Sequence, residues 1–301
     1  MRRLACGVAL CLLAASCSPG LRGPARPIAE EQLIGGLGLD LASARQTAIE
    51  FLHAYANAPH DDAAGLAPLV ATDKLADWVH WLAVQNREFD GTIDGSLQIR
   101  SVRVAGFRDI QGALGIQVDV VGAVTFDYAP AGGAPFRRTR LLGPILLVRV
   151  APADWRVVDL TRDGRSLVSG ITIFPQLAQT IRGVYVRIDS LFQFSPSWQF
   201  NLVVENHSGH NIAIDAPDVA LTLRAKAAGR TRVSGVLTRS LARVPAGSAV
   251  QGSIAFPEQT TARGLLLSIP FRLGGGRLVS FDFPLGGLVT PAPAAPASPS
   301  P

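Results

Sequence analysis

Apolar positions from Asp40 to Arg87 recur at three- and four-residue steps. Ala44, Ala48, Phe51, Leu52 and Tyr55 fall on one face of a helix, with Asp40 or Ser43 placed to cap it. Pro59 and the pair Asp61-Asp62 end that helix and open a short second one. Asp73 introduces a third, carrying Leu75, Trp78, Val79 and Leu82 on one side. After Arg87 the period changes to two. Segments 97–107, 113–128, 140–150 and 155–161 read as strands, with Val102, Val104, Ile116, Val118 and Val120 alternating against polar or small neighbours. From Gly183 to Leu285 the alternation continues without helical interruption. Phe200, Leu202 and Val204 make one such set, and Leu265, Leu267, Ile269 and Phe271 another. Turn signals at Asn206–Asn211, Ala228-Gly229, Pro245-Ala246-Gly247 and Gly274-Gly275-Gly276 separate the runs. The pattern predicts an α+β fold, with N-terminal helices packed on a curved antiparallel sheet, followed by an all-β sandwich.

The two ends have a different character. Met1-Arg2-Arg3 is positive, Leu4 to Ala15 is apolar, and Ala14, Ala15 and Ser16 are small, the three parts of a secretory signal. The apolar stretch is short of the ~20 residues that a permanent membrane-spanning helix needs. Residues 17–40, rich in Pro and Gly, read as a flexible tether. Residues 288–301 run into a Pro/Ala/Ser/Thr tail that cannot bury enough apolar surface to order itself. The expected organisation is therefore 1–16 signal peptide, 17–40 tether, 41–166 α+β domain, 167–182 linker, 183–287 β-sandwich and 288–301 tail.

Charge adds little. Without Arg2 and Arg3 the chain holds 26 basic against 23 acidic residues, a net charge of +3. Arg137-Arg138-Thr139-Arg140 is the dense basic stretch, and it reads as a solvated hairpin flank with anionic lipid headgroups as the other reading. Bases this scattered are not the clustered, aromatic-interleaved surface of a nucleic-acid binder. Of three cysteines, Cys6 and Cys11 lie inside the signal segment, leaving Cys17 with no disulfide partner.

Leu13-Ala14-Ala15-Ser16-Cys17 resembles the bacterial lipobox, departing at Ala14, where leucine is commoner. The resemblance implies a diacylglyceryl group on the Cys17 thiol and cleavage just before it. Two acyl chains suffice for stable anchoring at ~0.8 kcal/mol per buried methylene. The alternative is an ordinary signal peptide cut after Ala15 or Ser16. The helix-then-strand order over about 41–166, with Asp154-Trp155-Arg156-Val157-Val158-Asp159 and then Asp163-Gly164, resembles the nuclear transport factor 2-like superfamily. It departs in lacking strands between the helices. Val204-Glu205-Asn206, Pro245-Ala246-Gly247 and Gly252-Ser253-Ile254-Ala255-Phe256 resemble telokin-like, immunoglobulin-like domains of surface lipoproteins.

Candidate chemistry is sparse. Enzymes of the superfamily resembled use an acid with a tyrosine or histidine in a pocket, which singles out Tyr55, His80, Asp119 and Asp159 as pocket candidates, with surface or rim polar groups as the other reading. His207, His210 and Asp215 carry ligand-type side chains, but Asn206–Asn211 has the composition of a tight turn and lacks structural-zinc spacing. No metal or cofactor is expected. Gly-x-Ser-x-Gly, His-Glu-x-x-His and phosphate-binding glycine loops are absent from the sequence. Two functions follow as expectations. One is a non-catalytic, membrane-anchored envelope lipoprotein that binds an envelope protein, lipid or glycan. The other is a pocket that binds a small molecule or performs acid–base chemistry.

Overall fold

The computed structural model describes residues 41–110, 112–194, 196–215, 218–225, 229–259, 264–274 and 276–289. The expected signal peptide, Cys17, the tether and the tail from Thr290 lie outside them, as do Ala228 and Gly275 of two expected turns. Helix α1 (Leu41–Asn57) buries Ala44, Ala48, Phe51, Leu52 and Tyr55, the face that the spacing picks out. Helix α2 (Asp73–Glu88) begins after Thr72, whose hydroxyl accepts a hydrogen bond from Leu75 N at 3.3 Å. That bond satisfies one of the free N–H groups of the first turn. The short helix expected between them is instead a run of turns, in which Asp62 and Ala63 take positive φ, and one 3-10 turn at Ala67–Leu69.

Four long strands follow in a meander: β1 (Gly91–Ile110), β2 (Ala113–Pro130), β3 (Phe136–Ala151) and β4 (Asp154–Arg162). With β5 (Arg165–Ser166) they form a five-stranded antiparallel sheet in chain order. The strands outrun the apolar alternation because pairing continues into the polar hairpin ends, where Arg137 pairs with Asp127 at 2.6 Å. Register shifts at Ile99/Ser101 and Val104/Gly106 let the long β1–β2 ladder bend around the helices. Gly95 is needed at one contact: a Cβ there would run into the Ala56 carbonyl, so its absence lets the end of α1 rest directly on β1.

The chain then passes through a 3-10 turn at Val168–Gly170 and two short strands, β6 (Ile171–Ile173) and β7 (Ala178–Ile181). Both pair with β8 (Val184–Phe194), which pairs with β9 (Ser197–Asn206). The remaining strands are β10 (Ile212–Ala213), β11 (Ala220–Ala225), β12 (Gly229–Ser234), β13 (Val236–Leu237), β14 (Arg243–Val244), β15 (Ala249–Pro257), β16 (Leu266–Arg272) and β17 (Leu278–Pro284). A four-residue helix, α3 (Arg239–Ala242), precedes β14. One six-stranded sheet runs β13-β15-β9-β8-β6 with β7 on β8; the other runs β12-β11-β16-β10-β14 with β17 on β16. Phe200, Phe256, Phe271, Phe281 and Phe283, all at most 1% exposed, pack between these two sheets.

This architecture corrects the expected fold class. The molecule is mostly β, with 56% strand and 19% helical residues in several antiparallel sheets. It is not a helix-packed α+β domain joined to a separate immunoglobulin-like sandwich. The physical reason is visible at β6 and β8. Ile171 and Phe192 pack in the core beneath the helices, while Phe174 and Leu191 pack in the core between the two larger sheets. Adjacent residues of β8, and residues within and just after β6, thus feed both cores. Polar contacts tie the same seam: Glu88 Oε2 accepts from Ser240 N at 2.9 Å, Arg239 meets Asp90 at 2.9 Å, and Arg165 meets Glu258 at 3.2 Å. Local periodicity marked the two long helices and the long strands, but it offered a short helix where the chain forms turns, and it did not show which distant elements would cover each buried face.

Candidate functional site

The four pocket candidates do not converge. Tyr55 is buried on α1, its ring meeting Trp78 edge-on at 5.3 Å and Phe126 at 5.5 Å. His80 is exposed on α2 and its ring meets Trp81 at 5.3 Å. Asp119 lies between the inward-facing Val118 and Val120, so the period of two turns it to the outer face of the sheet. There it accepts from Gln117 Nε2 at 2.8 Å and pairs with Arg103 at 3.6 Å. Asp159 is 6% exposed, and its Oδ1 accepts from Leu160 N at 2.8 Å and Val168 N at 3.1 Å. That carboxylate is occupied in holding the turn after β4 against the helices. Burial raises its pKa, and hydrogen bonds from Ser166 and the backbone of Val168, Leu160 and Leu167 oppose the rise. Lys74 is nearby; burial lowers its pKa and the Asp159 charge opposes that. Cys17 lies outside the described residues.

His207 Nε2 lies 3.3 Å from Glu205 Oε2, and the His210 ring packs against Gly274. Asp215 pairs with Arg272 at 2.5 Å. No group of three metal-ligating side chains is assembled among the described residues. The residue that organises this turn is Asn206, fully buried. Its Nδ2 lies within 3.0 Å of the carbonyls of His210, Val244 and Pro245, and its Oδ1 accepts from Ser208 N and Oγ. Two hydrogens serve three carbonyls, so one bond is shared.

Tyr55 does open onto a cleft, and the rest of that cleft was not among the pocket candidates. Its cavity volume is ≈ 130 Å³, and its walls come from three places. The helices supply Tyr55, Trp78, Gln85 and Asn86. The concave face of the sheet supplies Phe126, Tyr128, Arg138, Arg140 and Arg162, and the β8–β9 hairpin supplies Phe192, Phe194 and Gln199. Cross-strand pairing explains the arginines. Arg138 stands opposite Phe126, Arg140 opposite Val124 and Arg162 opposite Leu142, so a row of bases crosses the same face as the buried apolar residues. The basic stretch 137–140 is therefore split by the strand period: Arg137 and Thr139 meet Asp127 and Thr125, while Arg138 and Arg140 line the cleft. Alternation within that stretch was the signal that could have found them.

Each guanidinium is held in place. Arg162 Nη1 donates to the Tyr55 hydroxyl at 3.0 Å, and its Cζ lies 4.7 Å from the Phe194 ring centroid. Arg138 lies over the Tyr128 and Phe136 rings, which stack at 4.6 Å. Arg140 Nη1 pairs with Asp163 at 3.1 Å. Burial raises the Tyr128 pKa, and Arg138, Arg140 and Arg162 all pull it back down. The three cations and that phenol line the same cleft. Asp, Glu and His are absent from the described cleft lining.

No protein-family model matches the chain, and no curated protein matches it. Among solved structures it is similar to the intermembrane space region of the chloroplast protein ARC6. The identity is 14% over 41% of this chain and 96% of that chain, with a TM-score of 0.30. A likeness that weak carries no argument about this chain. No helix among the described residues is long and apolar enough to cross a membrane.

Proposed function

We propose that the protein is an exported, lipid-anchored protein of the bacterial cell envelope that works by binding rather than turnover. The anchor rests on Leu13 to Cys17 as a lipobox-like string. The binding role rests on one observation: the cleft is walled by aromatic rings, guanidinium groups and side-chain amides, without a carboxylate or imidazole in its described lining. Acid–base catalysis near neutral pH is usually carried by such groups. Asp119 faces away, and Asp159 is committed to backbone N–H groups. Between the two expected functions, the cleft favours small-molecule binding over acid–base chemistry, alongside a role in contacting an envelope protein, lipid or glycan.

The anchor is tested by metabolic labelling with a fatty-acid analogue in a bacterial host. Wild type is expected to be labelled and to stay with membranes in high salt, and Cys17→Ala to lose both properties. Equal labelling and equal membrane retention of Cys17→Ala would remove the lipoprotein reading.

A further inference from the structure

We propose that the cleft is a site for a small organic anion, a carboxylate or phosphate carried on a planar, ring-sized apolar body. The inference rests on the binding role of the cleft and is independent of the anchor at Cys17. Size and the ring walls set the body. A cavity of roughly 150 Å³ holds a benzene ring, and this cleft has ≈ 130 Å³, with Trp78, Phe126, Phe192 and Phe194 on its walls among polar side chains.

Charge sets the head group. Three guanidinium groups, Arg138, Arg140 and Arg162, line the cleft together with Tyr128, and Arg140 pairs with Asp163. Neither Arg138 nor Arg162 has a carboxylate within ion-pair distance among the described residues. Like charges gathered on a concave, partly apolar wall repel one another more strongly than in open water. An anion between them removes that repulsion and accepts charge-assisted hydrogen bonds in the planar fork geometry that arginine offers. The hydrogen bond to Tyr55 and the stack on Phe194 fix Arg162 in advance, so little side-chain freedom is lost when the anion arrives.

The test is a titration of the purified full chain followed by nuclear magnetic resonance at the Trp78 indole N–H and Arg162 Nε–H. The probes are benzoate, phenyl phosphate, benzyl alcohol and inorganic phosphate. Benzoate or phenyl phosphate is expected to shift both signals at about 1 mM or below, with benzyl alcohol and inorganic phosphate at least about tenfold weaker. Arg162→Gln is expected to weaken the aryl anion at least about tenfold while leaving benzyl alcohol unchanged. Arg138→Gln, at the exposed mouth, gives the same reading should Arg162→Gln fail to fold. Benzyl alcohol binding as tightly as benzoate would overturn the anion site and leave a neutral binding cleft. Inorganic phosphate binding equally well would overturn the ring-sized body. No shift with any probe would overturn both this inference and the small-molecule role of the cleft.

Discussion

Arg162 at the end of β4 donates to the hydroxyl of Tyr55 on α1 at 3.0 Å, across 107 residues of chain. The bond ties the first helix to the last long strand of its sheet and sets the guanidinium at the mouth of the cleft. Tyr55→Phe keeps the ring contacts to Trp78 and Phe126 and removes the acceptor alone. A cost of about 1 kcal/mol is expected, as for a typical hydrogen bond. Arg162→Ala should cost more, since it also gives up the Phe194 stack at about 0.5–1 kcal/mol. The double variant should show a coupling of about 1 kcal/mol in denaturant unfolding. Strict additivity would mean that the two groups do not interact in solution.

Asp159 gives the fold a pH dependence with a definite sign. Burial holds its carboxyl above the ordinary range in the native state. Between the unfolded and native pKa values the folded chain binds more protons, so stability falls as pH rises through that window. Above the native value the loss is complete and constant; below the unfolded value it vanishes. Burial raises Asp77 as well, so the wild-type profile holds both contributions with the same sign. Asp159→Asn isolates one of them, because the amide oxygen can still accept from Leu160 N and Val168 N. Its stability relative to wild type should improve as pH rises from about 3 toward neutrality. Asp159→Ala removes the acceptor and should cost about 2 kcal/mol or more at every pH. Parallel profiles for wild type and Asp159→Asn would show that the carboxyl is not shifted.

Element type was legible because the apolar period is local. Three- and four-residue steps marked both helices, and alternation marked the long strands. Three things were not legible, each for a stated reason. Phe192 and Leu191 are adjacent apolar residues on one strand, so the period of two puts them on opposite faces, but nothing local says which distant elements cover each face. Asn206 looks like a turn residue and is one, yet its burial depends on carbonyls 38 and 39 residues away. The cleft drew Tyr55 from the candidates and nothing else. Its other members are apolar, amide-bearing or basic residues brought together by the second helix, by cross-strand pairing and by a distant hairpin. Titratable groups suited to acid–base work attract attention in a sequence, whereas a binding wall of rings and arginines has no spacing of its own.

The shared seam makes a final prediction about cooperativity. Phe192, 2% exposed, packs beneath the helices, while Leu191 on the same strand packs between the two larger sheets. Truncating a buried phenylalanine to alanine costs about 3–5 kcal/mol, through lost burial and the cavity left behind. If β8 couples the cores, Phe192→Ala should lower amide hydrogen-exchange protection in α1 and in β15 by similar amounts. Phe256, 1% exposed between the larger sheets, supplies the reciprocal case. Phe256→Ala should weaken α1 as well, although Phe256 lies in the other core. Exchange read residue by residue distinguishes this from two separable units, since local openings report their own free energies. Protection lost in α1 alone for Phe192→Ala, with β15 unchanged, would show that each core unfolds by itself and that the seam is only a contact.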